Sequence, residues 1–317
     1  MTAPTTTGLR LGLYTDSVEF VPLDDALDLA AAIGVHDVEI ATGGQSRAPH
    51  MDVHGLLADG AKRAKYCRKL ADRDLRIAAL NCSAWPMHPT LGPAHEELIR
   101  STIRLAGELG VSKIVTMSGT PGDGPGGTTF NWLWYPWPAD ALALLERQWQ
   151  AAVELWTELA ALAKANGIER IALELHPLQL VYNVPTLVRL RDAVGPLIGA
   201  NVDPSHLFWQ QMDPLAVVRA LGEAVFHVHL KDTSLVPERL AIAGVLDQAL
   251  FETPDERAWL FRTVGRGHDR AFWASFLASL AEVGYDDVVS IENEDVRQPA
   301  EPGVREAAAF IGSILAG

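Results

Sequence analysis

The chain has 317 residues, 48% of them hydrophobic, and a formal net charge of −14. That length and apolar content can fill one barrel domain or two ordinary ones, and the acidic surplus argues against a nucleic-acid partner, whose phosphates need a basic face. With no apolar run of about 18 residues and no basic-then-apolar leader over 1–8, the sequence predicts a cytoplasmic protein without a membrane span. Cys67 and Cys82 show no metal-ligand pairing, which suits a reducing compartment.

Residues 1–7, rich in Thr, read as a frayed tail. Beyond them, short apolar runs alternate with longer helical patterns. Strands are expected at 9–14, 37–41, 76–81, 113–117, 170–174, 198–202, 225–229 and 287–291. Helices are expected at 24–33, 60–73, 93–109, 140–166, 185–193, 214–221, 272–283 and 302–315. Glycines 110, 167 and 284 end helices just before a new strand, as αβ turns require. This alternation predicts a single (β/α)8 barrel domain over 1–317. An open doubly wound sheet fits less well, because no Gly-rich phosphate loop follows the first strand. Two connections are long, 118–138 after the fourth strand and 232–269 after the seventh, so both are expected on the catalytic face.

Four side chains close apolar runs in the second half: Glu174, Asp203, His229 and Glu292. The spacings 174 to 203 and 203 to 229 each match about one βα unit; 229 to 292 matches two units, or one with an insertion. At the mouth of a barrel they converge into a mixed oxygen and nitrogen site for one divalent metal. Manganese or cobalt suits such a shell, with magnesium and zinc as competitors. Each has a plainer reading, as a solvated rim residue or, for Asp203 before Pro204, as a helix cap.

Neighbouring residues extend the site. His227 shares a strand face with His229 and is expected to be a hydrogen-bonded core histidine. His206 falls one turn beyond Asp203 and can face the cavity. His176 follows Glu174 by two residues; it is either a base for a bound substrate or a histidine that hydrogen-bonds a carboxylate. Lys231 and Asp232 continue outward from His229, as substrate contacts or as paired surface charges. The stretch 130–137 holds Trp132, Trp134, Tyr135 and Trp137 in a cluster broken by prolines. That cluster suits stacking on a sugar or a planar group, or else a subunit contact.

With these residues the chain resembles the xylose isomerase-like barrel superfamily of sugar phosphate isomerases and epimerases. The resemblance rests on Glu174, Asp203-Pro-Ser-His206, His229-Leu-Lys-Asp232, Gly265-Arg-Gly-His-Asp269 and Ser-Ile-Glu292; in the first half only the element pattern matches. It implies that Glu174, Asp203, His229 and Glu292 bind a divalent metal. By likeness to ketose 3-epimerases, Glu174 and Glu292 exchange protons with substrate and His206 contacts it. The Trp-rich loop, the insertion before Gly265 and His176 depart from the epimerases and resemble the large subunits of bacterial C-glycoside deglycosidases. That likeness implies β-elimination from a 3-keto-glycoside and a small second subunit. DNA-repair endonucleases of the same superfamily need more ligands and a basic groove, which this chain lacks.

The expected activity is therefore proton removal beside a sugar carbonyl. The first choice is elimination from a 3-keto-sugar conjugate, with His176 or a glutamate as base and the aglycone against Trp132, Trp134, Tyr135 or Trp137. The alternative is a keto-sugar epimerase or isomerase using Glu174 and Glu292 from opposite faces. A non-catalytic scaffold subunit is a third class, opposed by four intact ligands.

Overall fold

A computed structural model describes residues 8–124 and 126–317. The tail expected over 1–7 and Pro125 of the 118–138 loop lie outside the described residues. In chain order the elements are β1 (Arg10–Tyr14), α1 (Leu23–Ala32), β2 (Asp37–Gly44), α2 (Val53–Ala58), α3 (Gly60–Ala71), β3 (Arg76–Ser83), α4 (Gly92–Leu109) and β4 (Lys113–Thr116). There follow α5 (Ala139–Ala165), β5 (Arg170–Glu174), α6 (Val184–Val194), β6 (Ile198–Val202), α7 (Pro204–Trp209), α8 (Pro214–Leu221) and β7 (Val225–Leu230). The chain ends with β8 (Asp232–Leu235), α9 (Pro237–Ala243), β9 (Trp259–Arg262), α10 (Arg270–Glu282), β10 (Val288–Ile291) and α11 (Ala300–Leu315).

Eight strands close a parallel barrel in the order β1-β10-β7-β6-β5-β4-β3-β2, and β8 and β9 form a separate two-stranded sheet. The architecture is the expected (β/α)8 barrel. β4, β6, β7 and β10 are buried at every residue, as parallel strands covered on both faces must be, and this produced the continuous apolar runs in the sequence. Gly110, Gly167 and Gly284 adopt φ of 69°, 76° and 81° after α4, α5 and α10, the left-handed turns predicted for them.

By its internal contacts the chain comprises two compact units. One contains the residues up to Glu39, Arg73–Arg76 and Val202–Gly317. In it β1 pairs with β10 (Gly12 beside Ser290) and with the start of β2 (Tyr14 beside Glu39), while β10 pairs with β7 (Ser290 beside His229). Trp273 and Phe276 of α10 are fully buried. The other unit contains Ile40–Asp72 and Ile77–Asn201. Its β3, β4, β5 and β6 pair in sequence, ending with Glu174 beside Asn201. Trp156 of α5 is fully buried and donates its indole N–H to the Ser118 carbonyl at 3.0 Å. At the start of α6, Asn183 and Thr186 exchange side-chain-to-backbone hydrogen bonds in a capping box.

The interval from 229 to 292 is one βα unit with an insertion. The insertion is folded: Asp232 pairs with Arg262 and Leu235 with Trp259 in an antiparallel hairpin, with α9 between its strands. Trp209 and Trp259 stack face to face, centroids 4.7 Å apart, in a small cluster with Ala258. The sequence reading missed α2, α7 as a complete element, and α9. These have only six or seven residues, too few for a hydrophobic period to emerge.

Candidate metal centre

Asp203 ends the run of β6 and is the N-cap of α7. Its Oδ1 accepts the Ser205 backbone N–H at 2.8 Å, while Oδ2 lies 3.1 Å from Lys231 Nζ and 3.3 Å from His206 Nε2. Capping and ligation are therefore compatible, one oxygen for each. His229, on β7, is buried with its ring stacked on Tyr14 at 5.5 Å. Its Nδ1 is 3.0 Å from Oε2 of Glu292, just past the end of β10. Glu174 is the last residue of β5. Asp203, His229 and Glu292, all in one unit, are buried, and one donor atom from each lies within 4.8 Å of the others, so this cluster can bind a metal ion; Glu174 is likewise buried, in the other unit.

The donor chemistry fits a divalent cation. Asp203 Oδ2 and Glu292 Oε2 are buried and form ion pairs, yet neither accepts a well-aligned hydrogen bond. Each keeps lone pairs for a cation. Burial alone would raise the pKa of Glu292, but Lys231 and His229 outweigh it and hold the carboxyl far below its usual range. Burial likewise disfavours a charged His229, whereas Glu39 and Glu292 raise its pKa well above the ordinary histidine value. Burial is the leading cause that pushes His206 down to about 4, so its ring is neutral at pH 7.

Lys231 and Asp232 are both buried, which removes the alternative of paired surface charges. Lys231 Nζ reaches Glu292 at 3.0 Å and Glu294 at 3.1 Å besides Asp203, and sits 4.7 Å from the Phe261 ring centroid. Oδ2 of Asp232 accepts the backbone N–H groups of Gly265, Gly267 and His268 at 2.9–3.0 Å, and its Oδ1 lies 2.7 Å from His268 Nδ1. A Cβ at Gly267 would fall 2.3 Å from the Thr233 carbonyl oxygen, so only glycine lets this loop close on Asp232. The Gly265-Arg-Gly-His segment is thus a carboxylate-nucleated turn.

Sequence reasoning missed Glu39. It sits within β2, fully buried, with Oε2 2.7 Å from His227 Nε2 and Oε1 3.0 Å from His229 Nε2. Burial would raise its pKa, but His229 and His227 prevail and hold it well below the usual carboxylate value. A signal was present, since an acid between Val38 and Ile40 in a strand buried on both faces must find a buried partner. His227 is the core histidine expected, also 3.2 Å from Ser290 Oγ.

The remaining candidates belong to the unit that carries β5. His176 lies just beyond the strand, half-buried; its backbone N–H donates to the Glu174 carbonyl at 2.8 Å and its Nδ1 is 2.5 Å from the Pro177 carbonyl. Trp132 packs edge-on against Tyr182 at 5.3 Å. Trp134, Tyr135 and Trp137 remain 52%, 63% and 73% exposed, too open for core residues. Among the described residues, no helix is long and apolar enough to cross a membrane.

A family model described as the xylose isomerase-like TIM barrel matches residues 27–314. The chain is 40% identical over 301 residues to the uncharacterized protein YfiH of Bacillus subtilis (strain 168), covering 94% of this chain and 96% of that one. Among solved structures it is similar to the probable 3-DHS dehydratase AsbF of Bacillus anthracis, with TM-score 0.66, 15% identity and coverage of 96% and 98%. It is also similar to an L-ribulose 3-epimerase, with TM-score 0.64, 18% identity and coverage of 97% and 95%. At these identities the two structures speak for the fold alone.

Proposed function

The chain belongs to the xylose isomerase-like TIM-barrel family, and from that premise we propose that it is a divalent-metal-dependent enzyme that removes a proton beside a sugar carbonyl. The observation that carries this reading is the buried group Asp203, His229 and Glu292, completed by the ammonium of Lys231; we assign Glu174, buried at the end of β5, as the fourth ligand. When bound there, a divalent ion, manganese by preference, supplies Lewis-acid polarisation of the carbonyl.

The chain's own residues supply the rest. Lys231 holds the Asp203 and Glu292 carboxylates in place, and the ring of neutral His206 would meet a sugar hydroxyl. We assign proton removal to His176, with Glu174 or Glu292 as its rivals. The outcome we favour is elimination: the C2 proton of a 3-keto-glycoside passes to the base, its electron pair forms the C1–C2 double bond, and the aglycone leaves C1 with the bonding pair and takes up a proton. Trp132, Trp134 and Trp137 would hold that aglycone. A small second subunit and a hetero-oligomer belong to this reading.

A second reading, epimerisation or isomerisation of a keto-sugar, would use Glu174 and Glu292, two buried carboxylates at strand ends, from opposite faces of a substrate. It also agrees with the similarity to a protein named as a 3-epimerase. Incubation of manganese-loaded protein in D2O with 3-keto-glycosides and with free ketohexoses, followed by NMR, decides between them. Elimination gives free aglycone and an unsaturated keto-sugar. Rapid inversion of ketohexoses with deuterium uptake, leaving 3-keto-glycosides intact, would overturn the first reading and support the second.

A further inference from the structure

We infer that Glu39 is a positioning residue that fixes which nitrogen of His229 faces the metal; the inference rests on the metal reading above. Glu39 is wholly buried, and a carboxylate is costly to remove from water unless charged partners answer it. Its partners are two imidazoles two residues apart on β7, both presenting Nε2: His227 at 2.7 Å and His229 at 3.0 and 3.1 Å. A carboxylate accepts hydrogen bonds and donates none, so each Nε2 must carry its proton. For His229 this leaves Nδ1, which points at Glu292 from 3.0 Å, as the nitrogen with a lone pair for the ion.

The surroundings hold this arrangement in place. Tyr14 stacks on the His229 ring with the planes 10° apart, which limits rotation, and Tyr14 is the residue paired with Glu39 across β1 and β2. His227, anchored by Ser290 Oγ at 3.2 Å, binds the second oxygen of Glu39 and keeps the carboxylate from turning away. A metal-bound histidine whose other N–H meets a carboxylate is held in one tautomer and made a stronger ligand. Glu39, His227 and His229 could themselves suggest a cation site. The 2.7 Å separation of Glu39 Oε2 and His227 Nε2 argues otherwise. That is the length of a charge-assisted N–H···O hydrogen bond, so this spacing holds a proton.

The test uses the full chain, freed of metal and reloaded. Titration with Co2+ against a chromophoric chelator should give one ion per chain, with affinity about 10–100-fold weaker in Glu39→Gln. In protein carrying 15N-labelled histidine and loaded with Zn2+, NMR should show His229 protonated at Nε2 and bound through Nδ1. That measurement needs only the unaltered sequence, and it decides the matter even if Glu39→Gln does not fold. In a folded Glu39→Gln, the His229 N–H should exchange faster with water, a change that loss of mere packing would not single out. Unchanged Co2+ affinity, binding through Nε2, or a second ion per chain would each overturn the role of Glu39 while leaving the metal centre standing. A chain that binds no ion at all would remove the metal reading and this inference together.

Discussion

The Lys231 ammonium lies 3.1 Å from Oδ2 of Asp203, the oxygen that the α7 cap leaves open. A buried cation thus stands among the carboxylates that would hold a metal ion, and it offsets their repulsion whether or not an ion is bound. Lys231→Met should therefore destabilise metal-free protein by about 3–5 kcal/mol, the cost of stripping a buried charge of its partner. Added Mn2+ should restore much of that loss. Urea melts with and without metal check this; a loss that Mn2+ leaves untouched would show that Lys231 stabilises through packing alone.

Replacing Glu174, Asp203, His229 or Glu292 singly with Ala should remove most bound metal and activity. Elemental analysis of each purified variant measures it. Full metal content in Glu174→Ala would locate the ion elsewhere.

His176→Ala should lower turnover severely with metal content unchanged. An imidazole base works only when unprotonated, so the wild-type rate should fall as pH drops through its titration, and that acid limb should vanish in the variant. Loss of metal along with activity would make His176 a ligand instead, and near-normal turnover would return the base to a glutamate.

Trp132→Ala and Trp137→Ala should weaken processing of aryl conjugates by about 0.5–1.5 kcal/mol per ring beyond the buried area, with little effect on any turnover of free keto-sugars. Comparing kcat/KM for the two substrate classes gives the answer. Equal losses on both would take the aromatic loop out of substrate recognition.

Thiol chemistry offers a test of the barrel interior. Cys67 is exposed, whereas Cys82 is buried and its pKa is pushed up to about 12 by that burial. The thiolate is the reactive form, so at pH 8 native protein should consume one equivalent of a thiol reagent, at Cys67, and a second only on unfolding. Rapid labelling of both thiols in native protein would mean that β3 opens readily.

The barrel was legible because parallel strands covered on both faces leave uninterrupted apolar runs, and because acids at the ends of those runs stand out. Glu174, Asp203, His229 and Glu292 stand out that way. Glu39 does not, because it lies inside a run, where a single acid looks like an interruption; its meaning depends on His227 and His229, far along the chain. The sequence leaves Lys231 open, as a substrate contact or a surface charge, because a charge past a strand end normally meets water, and only the three carboxylates around it make burial tolerable. The β8–β9 hairpin was hidden because its strands are four residues each and α9 separates them.

That hairpin gives the insertion a life of its own. The chain leaves at Leu235 and returns beside it at Trp259, and residues between fold on themselves: Asp247 accepts the Ala258 N–H, and Trp259 donates its indole N–H to Val245. Doubling the length of such a closed excursion costs only about 0.6 kcal/mol in loop entropy. Residues 236–258 are accordingly a self-closed excursion: a change in their length should cost little as long as the pairing of Leu235 with Trp259 is kept.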